Sequence, residues 1–148
     1  MRLLSHNLKM VHQWVTSAVD VALKDHGLPV SAPQAYLLVA LLDMDVSPSQ
    51  KLLAEHANID KMTTHEMIKR LEARGYLTRG RARKIPNSFG RETPIELTIV
   101  GTTAAKTAQK ALAHVDALVR VKLGCFADGF EDGLGELVDI VRKRTQVE

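Results

Sequence analysis

The sequence predicts a mainly α-helical fold with one small β-hairpin. Apolar residues recur at helical spacing along both ends of the chain, two short segments near the middle alternate between apolar and polar residues, and a basic, polar loop joins those segments. The length of 148 residues favours a single domain. With 45% apolar and 25% charged residues, the chain has the composition of an ordinary globular protein.

The composition also excludes several classes of protein. One cysteine, Cys125, cannot form an internal disulfide and suits a reducing compartment; we expect it to be a half-buried thiol. The first residues lack a signal peptide's apolar core, and no window approaches 18 apolar residues without a charge, so we expect a cytoplasmic protein. Six histidines without metal-ligand spacing, and no nucleophile motif, predict no metal, no cofactor and no enzyme.

Two helices are predicted before residue 45. The apolar spacing from Leu4 predicts an amphipathic helix of about 22 residues, which Gly27 ends. Ser31 offers a side-chain cap to a second helix. Its segment Ala35–Leu42 is almost wholly apolar, so we expect this helix to lie in the core.

Two shorter helices are predicted next, separated by a tight turn. Ser47 is expected to cap the third helix, with Pro48 at its first position. Asp60 is expected to cap the fourth, Lys61–Arg74, and Gly75 to end it. The side chains expected to face the core are Leu52, Leu53 and Ala57 from the third helix, and Met67, Ile68 and Leu71 from the fourth.

The second half of the chain predicts the hairpin and two more helices. Tyr76–Arg79 and Ile95–Ile99 alternate as half-buried strands do. A helix is expected to follow Gly101, to break at Gly124–Gly129 and to continue as a last amphipathic helix.

This order of elements predicts a winged helix-turn-helix flanked by N- and C-terminal dimerisation helices. Two short helices joined by a tight turn form a helix-turn-helix, whose second helix enters the DNA major groove, and the hairpin forms the wing. We place the winged-helix lobe at about residues 31–100 and the dimerisation helices at about 3–26 and 102–146. The apolar stripes of those helices exceed what a small lobe covers, which favours a two-fold homodimer.

Charge is concentrated in the predicted helix-turn-helix and wing. Residues 60–93 carry nine basic and four acidic side chains, a net +5, whereas the segments before and after each carry a net −1. A localised basic surface is the electrostatic signature of nucleic-acid binding, although a solvated basic loop has the same composition.

Four segments resemble the multiple-antibiotic-resistance regulator (MarR) family. They are Ser47–Ala57, Ile59–Lys61, Arg70–Leu77 and the Leu97-Thr98-Ile99-Val100-Gly101 run, which is similar to the family's Leu-Thr-x-x-Gly after the wing. The resemblance implies a bacterial, cytoplasmic homodimer that binds a pseudo-palindromic operator in double-stranded DNA. It further implies a transcriptional repressor released by a small hydrophobic or phenolic ligand.

The sequence departs from that family at two places. The family's wing usually carries an acidic residue two positions before an arginine, and here that place is Phe89-Gly90-Arg91, so the usual wing-bracing ion pair is in doubt. The family often has a basic residue at the position of Glu66. A carboxylate there either accepts a hydrogen bond from cytosine or pairs with a neighbouring arginine.

Candidate DNA contacts follow from these positions. Thr63, His65 and Glu66 lie in the N-terminal half of the fourth helix, where base contacts normally originate. The candidates for the phosphate backbone are Ser49, Gln50, Lys61, Lys69, Arg70, Arg81, Arg83, Lys84 and Arg91.

A ligand pocket is expected between the dimerisation helices and the DNA-binding lobe. Leu8, Trp14 and Tyr36 are its candidate lining residues, with plain core packing as the favoured alternative. Two other functions stay open: a DNA-binding module without a small effector, and a winged helix used for protein interaction.

Overall fold

The computed structural model describes residues 3–57, 59–84 and 91–145, with side chains described as far as residue 140. The elements are α1 (Leu4–Asp25), α2 (Ala32–Asp43), α3 (Gln50–Ala57), α4 (Lys61–Ala73), β1 (Leu77–Arg79), β2 (Arg83–Lys84), β3 (Arg91–Glu92), β4 (Ile95–Leu97), α5 (Ile99–Leu123), a 3₁₀ turn (Gly124–Phe126) and α6 (Ala127–Thr145). The predicted class, mainly helical with a small β-hairpin, is confirmed.

The core lies where α2, the end of α1 and the first half of α5 pack together. Leu23 of α1 and Leu37 and Leu38 of α2 are fully buried, which confirms that α2 is the central helix. The buried positions of α5 in this region are mainly alanines, such as Ala105 and Ala108. Small side chains let the α5 backbone approach α2 closely, so the long helix is joined firmly to the lobe.

The first helix ends where the sequence predicts. Gly27 takes a φ of +70°, a conformation that favours glycine, and it ends α1 two residues after Asp25. The Gln34 side chain accepts a hydrogen bond from the Ser31 N–H at 3.2 Å. Asp20 of α1 accepts from the Ala32 N–H at 2.8 Å, which ties the start of α2 to α1.

Helix α3 begins later than predicted. Its first residue is Gln50, and Ser49 rather than Ser47 supplies the cap, because the Ser49 hydroxyl accepts a hydrogen bond from the Leu52 N–H at 3.3 Å. Pro48 lies before the helix instead of at its first position: its carbonyl accepts a hydrogen bond from the Ile95 N–H at 2.8 Å. The predicted inward position of Leu52 is also wrong, since that side chain is 45% exposed.

Helix α4 matches its prediction closely. The Asp60 carboxylate accepts from the Thr63 N–H at 2.9 Å, which caps the helix. Met67, Ile68 and Leu71 are buried, and Gly75 ends the helix with a φ of +75°. The prediction omitted one residue of the buried stripe, Thr64. This residue is fully buried, and its hydroxyl donates to the Asp60 backbone carbonyl at 2.9 Å.

The wing is an antiparallel hairpin in two sections. In the inner section β1 pairs with β4, with Leu77 opposite Leu97. In the outer section β2 pairs with β3, with Arg83 opposite Glu92. The tip, residues 85–90, lies outside the described residues, as does the predicted departure at Phe89-Gly90.

The second predicted strand ends early, because α5 starts at Ile99 rather than after Gly101. Thr98 caps α5: its hydroxyl accepts from the Gly101 N–H at 2.9 Å and donates to the Gly75 carbonyl at 2.6 Å. A Cβ on Gly101 would lie 1.8 Å from the Tyr76 carbonyl oxygen. Only glycine therefore lets the first turn of α5 lie against the end of the α4–β1 turn.

The C-terminal helices are separated by a shorter break than predicted, three residues of 3₁₀ helix at Gly124–Phe126. Cys125 in this turn is exposed, which corrects the expectation of a half-buried thiol. The Arg120 guanidinium bridges the break through ion pairs with Asp128 and Glu131. None of the helices in the described part of the chain is long and apolar enough to cross a membrane.

Candidate nucleic-acid interface

The exposed face of α4 is built from four side chains at helical spacing. His65 and Glu66 follow Met62 by three and four residues, and Lys69 follows them by four and three, so all four share one side of the helix. The opposite side carries the buried stripe that packs on the lobe. Met62 was not among the sequence-predicted contacts, yet it is 73% exposed at the start of the helix. An apolar side chain there can contact the methyl group of thymine.

His65 is held by α3, which lies beside α4. The side-chain oxygen of Gln50 (Oε1) lies 3.2 Å from His65 Nδ1, and its side-chain nitrogen (Nε2) donates to the Lys61 backbone carbonyl at 3.4 Å. Both contacts join residues far apart in sequence. Gln50, a predicted phosphate contact, thus also links the first helix of the helix-turn-helix to the second.

The cap of α4 lies at the edge of the same surface. The Thr63 side chain and the Thr63 N–H, which donates to the Asp60 carboxylate at 2.9 Å, lower the pKa of the Asp60 carboxyl below its usual value. Thr63, a predicted base contact, therefore lies beside the cap. Its role in base contact stays a prediction.

Glu66 is exposed on the helix and has no ion pair within the described residues. The pairing with a neighbouring arginine, one of the two alternatives for this residue, is absent from that part of the chain. Lys69 and Arg70, the two cations nearest in sequence, are likewise exposed there.

Two cations of the wing, Arg83 and Arg79, are already paired. Arg83 forms an ion pair with Glu92 at 2.8 Å and donates to the Ser47 carbonyl at 2.9 Å. Arg79 pairs with Glu72 of α4 at 3.2 Å. The Arg83–Glu92 pair braces the wing from a different position than the family's missing acid would. The cations without an ion pair among the described residues of the wing are Arg81, Lys84 and Arg91.

Ser49 lies at the junction of α3 with the wing. Its backbone bridges Pro94, and its half-buried hydroxyl is already engaged as the helix cap. These contacts join the wing to the start of α3, just as Gln50 joins α3 to α4. The wing, α3 and α4 therefore form one continuous surface.

A cavity of about 350 Å³ lies where the end of α1 meets the start of α5. Its lining includes Leu28, Tyr76, Ile99 and Thr103, so it lies at the boundary between the long helices and the lobe.

The predicted pocket residues lie elsewhere. Leu8, Trp14 and Tyr36 do not line this cavity, and they are 37%, 48% and 45% exposed, so they are not core residues of the single chain either. Partial burial, with the nearby Asp116 carboxylate as a smaller cause, raises the pKa of Tyr36.

The described residues contain no group of three or more histidine, cysteine or acidic side chains placed to hold a metal ion. Sequence inspection missed Glu92 as the wing brace and Gln50 as the partner of His65. Both depend on strand register or helix packing, which local periodicity does not reveal.

Comparisons with known proteins agree with this architecture. Residues 26–84 match the sequence model of the MarR family. The MarR family protein Rv2887 of Mycobacterium tuberculosis, in complex with p-aminosalicylic acid, is 26% identical; the match covers 92% of this chain and 98% of that one, with a TM-score of 0.64.

Two further solved structures share the fold at lower identity. MepR of Staphylococcus aureus, in complex with DNA, is 14% identical with a TM-score of 0.76, covering 97% of this chain and 99% of that one. CouR of Rhodococcus jostii RHA1, bound to p-coumaroyl-CoA, is 18% identical with a TM-score of 0.71, covering 95% of this chain and 91% of that one. No curated protein gives a significant match.

Proposed function

We propose that the chain is a MarR-family winged-helix protein and acts as a homodimeric, sequence-specific transcriptional regulator on double-stranded DNA. The match of residues 26–84 to the family model and the shared fold along the chain support this proposal. The family resemblance favours repression as its mode of control. The proposal assigns no catalytic role and places the protein in the bacterial cytoplasm.

One observation carries the proposal: the recognition helix and the wing form a single cationic surface. Arg83 of the wing bonds to the Ser47 carbonyl, and Gln50, three residues on, bonds to α4 at both His65 and Lys61. A helix fits the major groove, and a basic hairpin beside it reaches the adjacent phosphates. The net charge of +5 over residues 60–93 supplies the attraction to DNA.

Dimerisation would cover the apolar faces of the terminal helices. The exposed apolar side chains there are Leu4, Leu8, Met10, Val11 and Trp14 of α1, Leu118 and Val121 of α5, Phe126, and Phe130, Leu134, Leu137, Val138 and Ile140 of α6. Faces of this extent normally mark an interface. A two-fold dimer spaces two recognition helices about 34 Å apart, which matches successive turns of one DNA face.

Release by a small ligand is the second part of the proposal. Two of the structural neighbours are complexes with aromatic ligands, p-aminosalicylic acid and p-coumaroyl-CoA. The cavity beside Tyr76 and Ile99 is large enough for a small aromatic acid, and it borders both the lobe and the long helices. The alternative, a DNA-binding or protein-interaction module without an effector, predicts no ligand effect on DNA affinity.

Selection of bound duplexes from a random pool tests the DNA-binding function. The recovered operator is then titrated with Lys69→Ala/Arg70→Ala and with a matched double variant, Lys106→Ala/Lys110→Ala, whose exposed lysines lie on α5. We expect weaker binding from the first variant only, because α4 faces the DNA. No recovered sequence, or equal effects of both variants, would contradict the proposal.

Titration of the operator complex with a panel of phenolic and aromatic acids then tests the effector. Release of DNA by one of them supports regulation by a ligand. No release across the panel favours the module without an effector.

A further inference from the structure

The contacts of Gln50 fix which of its ends faces His65. A backbone carbonyl only accepts hydrogen bonds, so the side-chain group next to the Lys61 carbonyl is the Gln50 amide nitrogen. The Gln50 oxygen therefore faces His65 Nδ1, at 3.2 Å. Because this oxygen only accepts, Nδ1 must carry the hydrogen.

This assignment determines what His65 presents to DNA. In a neutral imidazole with its hydrogen on Nδ1, the other nitrogen, Nε2, is an acceptor. The His65 ring is half-buried, which is consistent with one edge held by α3 and the other directed outward. In its neutral form, His65 therefore offers DNA an acceptor rather than a donor.

Glu66, the next residue, also offers only acceptors. Its carboxylate is exposed on the same face of α4 and has no ion pair within the described residues. Two adjacent acceptors gain nothing from the phosphate oxygens, which are acceptors too. Their hydrogen-bond partners on DNA must therefore be donor groups of the bases.

Two acceptors on a helix in the major groove require donors on the edges of the bases. Guanine presents only acceptors there, and thymine presents an acceptor and a methyl group, so both repel this pair. Cytosine N4 and adenine N6 are the donors, and adenine adds the N7 acceptor beside its amino group. Cytosine is therefore the base that fits both residues best.

We propose that α4 recognises its operator through cytosine N4 amino groups, with His65 Nε2 and the Glu66 carboxylate as acceptors and Gln50 as the residue that positions His65. The proposal rests on the DNA-binding function argued above and names the base chemistry of that site. Met62, exposed one turn earlier on the same face, adds an apolar contact to a neighbouring thymine methyl.

The hydrogen position on His65 is measured in the free protein. Nitrogen-15 NMR at about pH 8.5, above the ordinary imidazole range, distinguishes the two neutral forms. We expect His65 of the wild type to carry its hydrogen on Nδ1. In Gln50→Leu we expect a shift toward the Nε2–H form, whereas the control Gln109→Leu, on the exposed side of α5, leaves it unchanged. An Nε2–H form in the wild type would overturn the proposal without any DNA measurement.

Random-pool selection then reads the base preference directly. We expect cytosine at the contacted positions for the wild type and for Gln109→Leu. In Glu66→Gln, whose amide suits adenine N6 and N7, the cytosine-to-adenine ratio at one position should fall by about tenfold. In Gln50→Leu the preference at the other position should relax, because a freed imidazole turns either nitrogen outward.

The outcomes distinguish a failure of the proposed base preference from a failure of the proposed DNA-binding function. A protein that binds selectively but takes guanine or thymine at both positions overturns this inference and leaves the DNA-binding function standing. A protein that recovers no sequence overturns both. Selective binding with an unchanged cytosine preference in Glu66→Gln also overturns the role of Glu66.

Discussion

The first turn of α5 depends on a glycine at position 101, and Gly101→Ala tests this directly. The added Cβ would lie 1.8 Å from the Tyr76 carbonyl oxygen, a distance at which the backbone must move. Neighbouring atoms cannot yield, because Tyr76 is fixed by hydrogen bonds to the Leu71 carbonyl on one side and from the Thr98 N–H on the other. The helix is therefore expected to move away from the lobe.

The magnitude follows from what that movement breaks. Two hydrogen bonds of Thr98 lie at the contact, to the Tyr76 carbonyl at 3.0 Å and the Gly75 carbonyl at 2.6 Å, and each contributes about 1 kcal/mol. Overpacking adds about 1–3 kcal/mol, and alanine recovers about 1 kcal/mol of helix propensity. We expect Gly101→Ala to lower the free energy of unfolding by about 2–4 kcal/mol.

The assay is urea unfolding followed by far-ultraviolet circular dichroism at one fixed protomer concentration, since dimerisation contributes to the measured stability. Gly129→Ala is the matched control: it also substitutes the third residue of a helix, and its Cβ meets nothing within 4 Å. The control should be unchanged or slightly more stable. If Gly101→Ala is as stable as the control, the close contact between α5 and Tyr76 is not a constraint and the reasoning fails.

Three further predictions concern the wing, the α4 cap and the dimer. Lys84→Ala should weaken binding to all duplexes about equally and reduce the slope of log affinity against log salt by about 0.9 per protomer. Arg83→Ala should in addition loosen the wing, because it breaks the ion pair with Glu92. Salt-titrated binding measures the loss of a phosphate contact in both variants, and hydrogen exchange of the wing detects the loosening in Arg83→Ala alone. The Asp60 pKa is lowered in the folded protein, so its contribution to stability is present at neutral pH and is lost as pH falls below about 4. Asp60→Asn does not titrate there, and its unfolding curve should approach that of the wild type as acid is added; a gap that widens would contradict the assignment. Leu137→Glu should give monomers in analytical ultracentrifugation, because it places a charge on the apolar face of α6. Val46→Glu makes the same kind of change at an exposed apolar side chain outside the terminal helices and should stay dimeric.

Sequence periodicity predicted the fold because each helix carries its own signals. Gly27 and Gly75 end helices through their own backbone conformation, and Asp60 caps α4 three residues from its partner. Where a boundary depends on a distant segment, the prediction failed. Ser47 and Ser49 are equally good caps in isolation, and the bond from Ile95 to Pro48 selects the second.

The same distinction applies to the candidate site. The basic surface follows from counting charges, but which cations are unpaired depends on the register that places Arg83 opposite Glu92. Likewise, the acceptor character of His65 depends on Gln50, fifteen residues away on another helix. The exposure of Leu8 and Trp14 has a different cause, since in the proposed dimer the second copy covers the terminal helices.

Equilibrium binding to the selected operator and to a scrambled duplex of the same composition, from about 50 to 200 mM salt, tests the central claim most directly. The account predicts that both affinities fall steeply with salt, since cations on α4 and the wing contact phosphates. It also predicts that the operator stays preferred by about a thousandfold or more, since base contacts persist when phosphate contacts are screened. Equal affinity for the two duplexes at about 100 mM salt would contradict it.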